Sequence, residues 1–522
     1  MISKLSFIAV VVVAASLPLS ANQTPEASAS PTPIPSPTPA HHKKGRTLAA
    51  LVSAVKSVTD EDEGQLMDEL FDPNSFSQKN INPNFTMPIM PHTVKELQYA
   101  SRNYWFGPRD ELSKHGIGFS ATYTGVIVSN PIGGIHPGGC DYYDIIALTS
   151  IISTQELFGW HGGHFIMSAV QQDGGWSRHL SPNNIGNQFE VDGGAKGYTF
   201  KWVNLYYQQL FWNDRADINI GRFSAMDEFD VSPILWNYLG SFQASPTNFQ
   251  TTWSPNASWA SRLKIRATDD IDLRFGIFQL TTDSLNGLTW NFYPNDGVSL
   301  LTQISWNPQF CQPGASSIFD NGKKNAAATT AEKSFSSPVD VSKLQKLPGH
   351  YFLGGFYNTS GIHQFGESWL PEDDNNYGFF CHADQLVYRP NPMTDAGLTL
   401  WSELSYSPQG NASIISYQVK GGAIYTGLIP GRRNDFTIFG LGYGRFSSDF
   451  ASENIATSWK NGQPSSPKYG DPTFEAITEL GYRINFTRFI FIQPDIQFII
   501  NPAGTGHIPD ALVLGTMAGI VF

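Results

Sequence analysis

Beyond residue 22, no stretch of this chain approaches the roughly 20 apolar residues that a membrane-spanning helix needs. That excludes a helical membrane protein but not a β-barrel, whose strands need only about 9–11 residues with one apolar face. Charge is scarce too: Asp, Glu, Lys and Arg make up 15% of residues, against about 25% in an ordinary soluble domain. Basic charge is scarcer still. The formal charge of −12 lacks the basic footprint of a nucleic-acid partner. The 3 cysteines, Cys140, Cys311 and Cys381, allow at most one disulfide and show no CxxC or Cys/His zinc spacing. Nucleophile elbow, P-loop and HExxH motifs are missing as well. The sequence therefore gives no reason to expect an enzyme, a metal or a cofactor.

What is abundant fits a barrel. Aromatics reach 13% and glycine 48 residues, the first suited to interfacial girdles and the second to turns and lumen-facing positions. Lys4, the apolar run Ile8 to Leu17 and Leu19-Ser20-Ala21, which resembles a small-residue cleavage site, read as a secretory leader over 1–22. No cysteine follows it, so no lipid anchor is expected. Residues 23–45 form a Pro/Ser/Thr-rich linker that cannot bury a core. Over 46–103 the pattern predicts a periplasmic extension. Leu48, Leu51, Val52 and Val55, then Leu66, Met67, Leu70 and Phe71, give short amphipathic helices, followed by a Pro/Asn-rich connector.

From about residue 116 the apolar period becomes two. Gln493, Asp495 and Gln497 oppose Ile492, Pro494, Ile496, Phe498 and Ile500, and the chain ends on Phe522. Such alternation suits a soluble sandwich as well as a membrane barrel. Connection lengths separate them. Strands are expected at 117–129, 142–153, 163–172, 198–210, 216–223, 259–268, 271–280, 298–307, 349–357, 377–389, 397–407, 415–426, 434–446, 473–485, 488–500 and 511–522. Short turns (213–214, 269–270, 430–431, 486–487) alternate with long loops (173–197, 224–258, 360–376, 447–472). That parity is the mark of an outer-membrane barrel. The segment 308–348 breaks it, as a long insertion where a short turn belongs. The expected fold is all-β, a transmembrane antiparallel barrel of about 16 strands with a short helical N-terminal extension.

The residues also carry a resemblance. Tyr104-Trp105-Phe106-Gly107, Arg109, Leu112 and Gly116-Ile117-Gly118-Phe119 open a series of short motifs. Gly159-Trp160, Ile185-Gly186-Asn187, Gly221-Arg222-Phe223, Glu228-Phe229 and Leu353-Gly354-Gly355 follow in order. Gln493-Pro494-Asp495, Gln497, Asn501-Pro502 and Asp510-Ala511-Leu512-Val513-Leu514-Gly515 close it. Over residues 104–522 the chain resembles the carbohydrate-selective outer-membrane porins of the OprB type. The resemblance implies a sixteen-stranded barrel in the outer membrane that admits monosaccharides such as glucose by facilitated diffusion. Two departures stand out. The family's last strand often carries a basic residue where this chain has Met517, and the usual acid near Ser153-Thr154 is missing.

A sugar-selective pore needs hydrogen-bonding groups that replace hydration, with binding weak enough to release the solute. Arg262, Lys264 and Arg266 share one face of a strand, opposite Ser261, Leu263, Ile265 and Ala267. They can line the lumen, pair with lumenal acids, or do both. Glu475, Glu479 and Arg483 form a second ladder, with Asp495 on the next strand. A glycosidase pair at 475 and 479 would be about 13 Å apart between Cα atoms at about 3.3 Å per residue, too long for that chemistry. Salt-bridging with Arg483 or with other wall residues is the expected use. The 224–258 loop carries Asp227, Glu228, Trp236 and Tyr238, with Arg222 at its root. Folded inward it would narrow the pore; outside, it would seal the surface. Expected partners are small carbohydrates, outer-membrane lipid and, through the extension, cell wall, with monomer and oligomer both open. The competing functions are a general or anion-preferring porin, an envelope tether, a secreted lectin and, last, a barrel hydrolase.

Overall fold

The structure, a computed structural model, describes residues 112, 115–174, 180–191, 199–242, 256–280, 287, 297–311, 346–359, 375–390, 396–452, 471–486 and 490–521. The expected leader, linker and extension over 1–103, most of the 308–348 insertion and Phe522 lie outside them. Among the described residues seventeen strands form one sheet. They are β1 (Ile117–Ile132), β2 (Gly139–Ser153), β3 (Gly163–Gly174), β4 (Thr199–Phe211), β5 (Ala216–Phe223), β6 (Ser258–Arg266), β7 (Ile271–Gln279), β8 (Val298–Trp306) and β9 (Gln309–Cys311). There follow β10 (Lys346–Asn358), β11 (Asn376–Tyr388), β12 (Gly397–Tyr406), β13 (Ile415–Thr426), β14 (Phe436–Phe446), β15 (Phe474–Asn485), β16 (Ile490–Ile500) and β17 (Ala511–Val521). A short helix, α1 (Thr154–Phe158), fills the β2–β3 turn.

Successive strands pair antiparallel, apart from β8 and β9, and β1 closes on β17 with Tyr123 opposite Ile520. β9, three residues long, pairs only with the start of β10, while β8 pairs directly with β10 (Tyr351 opposite Trp306). β9 therefore adds no strand to the ring, and sixteen strands make the closed wall. Closure leaves no unpaired edge, the condition for a sheet in lipid.

Burial identifies the two faces. Along β16 the exposed side chains are Ile490, Pro494, Ile496 and Phe498, while Gln493 and Gln497 are fully buried. Around the barrel Leu148, Phe165, Ile220, Phe275, Ile304, Leu353, Leu400, Leu441, Leu480 and Leu514 point outward and exposed. A sandwich would bury these and expose the glutamines; only an apolar solvent makes this arrangement stable. A one-residue slip would turn every polar side chain into lipid, so the register is strongly specified. Exposed aromatics ring both rims: Phe158, Trp160, Trp212, Trp306 and Phe486 at the short turns, and Phe200, Trp202, Tyr357 and Tyr377 at the long loops. The β4–β5 turn is tight because Trp212, Asn213 and Asp214 all take positive φ, a conformation that Asn and Asp tolerate.

Candidate functional site: the constriction inside the barrel

After Phe223 the chain turns into the lumen. Short 3-10 turns at Ala225–Asp227, Pro233–Asn237 and Gly240–Phe242 carry it across to the facing wall. Pro233 opens the second turn, where a missing N–H costs nothing. Wall side chains satisfy the irregular backbone at each step. Asp230 N–H donates to Gln303 Oε1 on β8 (2.9 Å), Ser232 Oγ to Asp384 Oδ2 on β11 (2.8 Å), and Leu239 N–H to Glu479 Oε1 on β15 (2.7 Å). From β16, Gln493 Nε2 donates to the Asn237 carbonyl (2.9 Å). Trp401 Nε1 donates to the Tyr238 hydroxyl (2.7 Å), which donates to the Phe439 carbonyl (2.9 Å). Burial holds the Tyr238 phenol well above its ordinary pKa, so it remains a protonated donor.

A second inward segment, Leu180–Val191, joins it. Gln188 and Phe189 donate their N–H groups to Glu475 (2.9 and 2.6 Å), and Gln497 Nε2 donates to the Val191 carbonyl (3.1 Å). The segments touch at Gly240, whose φ is +55° and where a Cβ would fall 2.1 Å from the Glu190 carbonyl oxygen. Only glycine fits there. Leu180, Ile185 and Phe189 pack with Leu235, Leu239 and Phe242 against Phe436, Ile438, Ile477, Phe491, Val513 and Met517 of the wall. One side of the lumen is thus a dry core.

The loop therefore folds inward, and this sorts the sequence candidates. Glu475, Glu479, Arg483 and Asp495 all point inward as alternation predicts, yet each is almost fully buried beneath these segments. The expected pairing with Arg483 is corrected. Arg483 lies over the Phe491 and Phe436 rings (4.0 and 4.9 Å) and donates to Gln493 Oε1 (2.8 Å), while the glutamates accept loop N–H groups. Arg222 is corrected too. It shares the outward side of the wall with Leu205 and Trp259, and its guanidinium donates to the Gly287 and Ala257 carbonyls, bracing an outer loop.

The other side of the lumen stays polar. Arg262 pairs with Glu228 (2.9 Å) and with Asp217, joining wall and constriction. Asn219 Nδ2 also donates to Glu228 Oε1 (2.9 Å). Lys264 stands opposite Asp217 and Arg274, and Arg266 opposite Asp272. Arg274 pairs with Asp272 at 2.9 Å. Asp217, Asp227, Trp236, Lys264, Arg266 and Arg274 are only half-buried. Sequence reasoning missed Asp217, Asp272, Arg274, His350, His382, Asp384, Glu403 and Lys420, which continue this wall. Their signal was alternation on β5, β7 and β10–β13, read there for strands and not for charge. Cys140 and Cys381 are free thiols.

With this geometry in place, comparison is informative. The pattern of the family described as carbohydrate-selective porin, OprB family, matches residues 140–522. Porin B of Pseudomonas aeruginosa is 23% identical over 450 residues, covering 80% of this chain and 90% of that protein. The high-pH structure of Pseudomonas putida OprB superposes with a TM-score of 0.66 at 21% identity, covering 80% of this chain and 96% of that one. At that identity it shows a common fold.

Proposed function

This chain belongs to the OprB family of carbohydrate-selective porins, and from that premise we propose that monosaccharides cross it along the polar half of the constriction. It is an outer-membrane channel for the diffusion of carbohydrates. The observation that carries the proposed path is the asymmetry of the lumen. One half is closed by apolar packing around Leu239 and Phe242, and the other offers half-buried Asp217, Lys264 and Arg274 on the wall, with half-buried Asp227 and Trp236 on the constricting segment.

Fixed charged and hydrogen-bonding groups replace the water that sugar hydroxyls shed, and an indole face covers the C–H surface. The paired arrangement matters. Arg262 is held by Glu228 and Asp217, and Arg274 by Asp272. Charges already satisfied by the wall offer a sugar additional hydrogen bonds without the strong field that would trap a counter-ion, so solute binds weakly and leaves. The wall is balanced, which argues against a dedicated anion pore.

The test is single-channel conductance of the purified protein in a planar bilayer, titrated with glucose. Discrete steps that shrink saturably with sugar are expected. Steps indifferent to glucose would reduce the function to general diffusion.

A further inference from the structure

Where the charged wall meets β10 and β11, three side chains converge to which the proposed sugar path assigns no role. His350 on β10 is the direct cross-strand partner of Asp384 on β11, and His382 lies two residues before Asp384 on the same inward face. Directly opposed side chains start about 4.5–5.5 Å apart at Cβ, so the three heads meet. His382 Nε2 sits 3.0 Å and His350 Nδ1 3.3 Å from the same oxygen, Asp384 Oδ2. One ligand atom from each of the three lies within 4.8 Å of the others.

We infer that His350, His382 and Asp384 form a binding site for a divalent transition-metal ion of the zinc class, set in the wall of the pore. Two imidazoles and one carboxylate are the donor set that such borderline ions prefer over Mg2+ or Ca2+, which take oxygen ligands. The spacing agrees. Tetrahedral ligands at about 2.0–2.1 Å from zinc lie roughly 3.3–3.4 Å from one another, close to the two separations observed.

The surroundings supply what a metal site needs beyond its ligands. The His382 ring is sandwiched between Phe352 (5.0 Å, 13° between planes) and Trp401 (6.3 Å, 14°), which fixes its orientation. Its other nitrogen, Nδ1, faces Glu403 Oε2 at 3.7 Å, and Glu403 is held by Lys420 at 3.3 Å. A carboxylate behind a histidine is the outer-sphere arrangement that sets the tautomer of a ligating imidazole. Ser232 Oγ, from the constriction, donates to Asp384 Oδ2 at 2.8 Å and orients that carboxylate. His350 is half-buried rather than sealed, so its ring is reachable by water or a solute oxygen as a further ligand. The site therefore ties metal occupancy to the segment that narrows the pore.

The experiment is calorimetric titration of the full-length protein in detergent with Zn2+, and with Mg2+ in parallel, followed by conductance in the bilayer. The wild type should bind one Zn2+ at this site and no Mg2+, and Zn2+ should lower single-channel conductance until a chelator is added. His350→Gln and Asp384→Asn should each weaken that binding at least tenfold. His41→Ala with His42→Ala, which removes the only adjacent histidine pair in the chain, should leave it unchanged. His350→Gln is the milder variant, and its heat-modifiable migration on gels reports whether the barrel folded. Equal Zn2+ affinity in wild type, His350→Gln and Asp384→Asn would overturn the inference, as would Zn2+ binding no tighter than Mg2+. Loss of binding only in the His41/His42 variant would place the metal on the tail and overturn it too. None of these outcomes depends on whether sugar is the solute.

Discussion

The backbone N–H of Leu239, on a segment rooted at the end of β5, donates to Glu479 on β15 at 2.7 Å. That bond spans the barrel and couples the width of the pore to a carboxylate on the far wall. Replacing Glu479 with Ala should loosen the constriction. Single-channel conductance should rise and become noisier, with a loss of about 1–3 kcal/mol for the orphaned donor. Unchanged, quiet steps would show that the apolar packing alone holds the segment.

Glu475 does the same for the second segment, accepting N–H groups from Gln188, Phe189 and Ala503 (2.7 Å for the last). Glu475→Ala leaves one buried and two part-buried donors without their acceptor. It should lower the temperature at which the barrel loses its compact migration on gels by more than Glu475→Gln, which keeps one acceptor oxygen.

Arg262 stands between two acids on different elements. Arg262→Ala should destabilise the protein by about 3–5 kcal/mol, because Glu228 is left as an uncompensated buried charge. The reversal potential under a salt gradient should shift toward cations. Arg222→Ala is the contrast: since Arg222 braces an outer loop, glucose block should be unaffected while heat resistance falls.

Trp236 is the half-buried aromatic on the constriction. Trp236→Ala should weaken glucose block by about fivefold, the loss of roughly 1 kcal/mol of ring contact, and should raise conductance. An unchanged block constant would move the sugar path away from this residue.

Met517 sits at 0% exposure in the dry half of the lumen, against the cluster around Leu239 and Phe242. Met517→Arg would place a charge in apolar packing, at a cost of several kcal/mol unless a partner is found. Refolding yield should drop sharply, whereas Met517→Leu should refold normally.

These residues also mark how far the sequence reached. Lipid on one side and polar lumen on the other impose a strict period of two, so Gln493, Asp495 and Gln497 declared their inward face without any structure. Connection lengths then told barrel from sandwich, because only a membrane protein has reason to keep short turns on one rim. Strand positions, closure and the inward side of Arg262 and Glu479 were local properties of this kind. What alternation cannot carry is how far a loop reaches, or what covers an inward side chain once it points inward. Met517 looked like a departure from a basic position, and only the packing of Leu239 and Phe242 made its apolar character intelligible. Arg222 looked like a pore residue, and only the strand register placed it outward. His350 and His382 lie 32 residues apart and meet Asp384 solely because β10 and β11 pair in one register. Periodicity is written residue by residue along a strand, whereas the constriction and the side-chain clusters arise from contacts across the barrel, where sequence distance no longer limits what can touch.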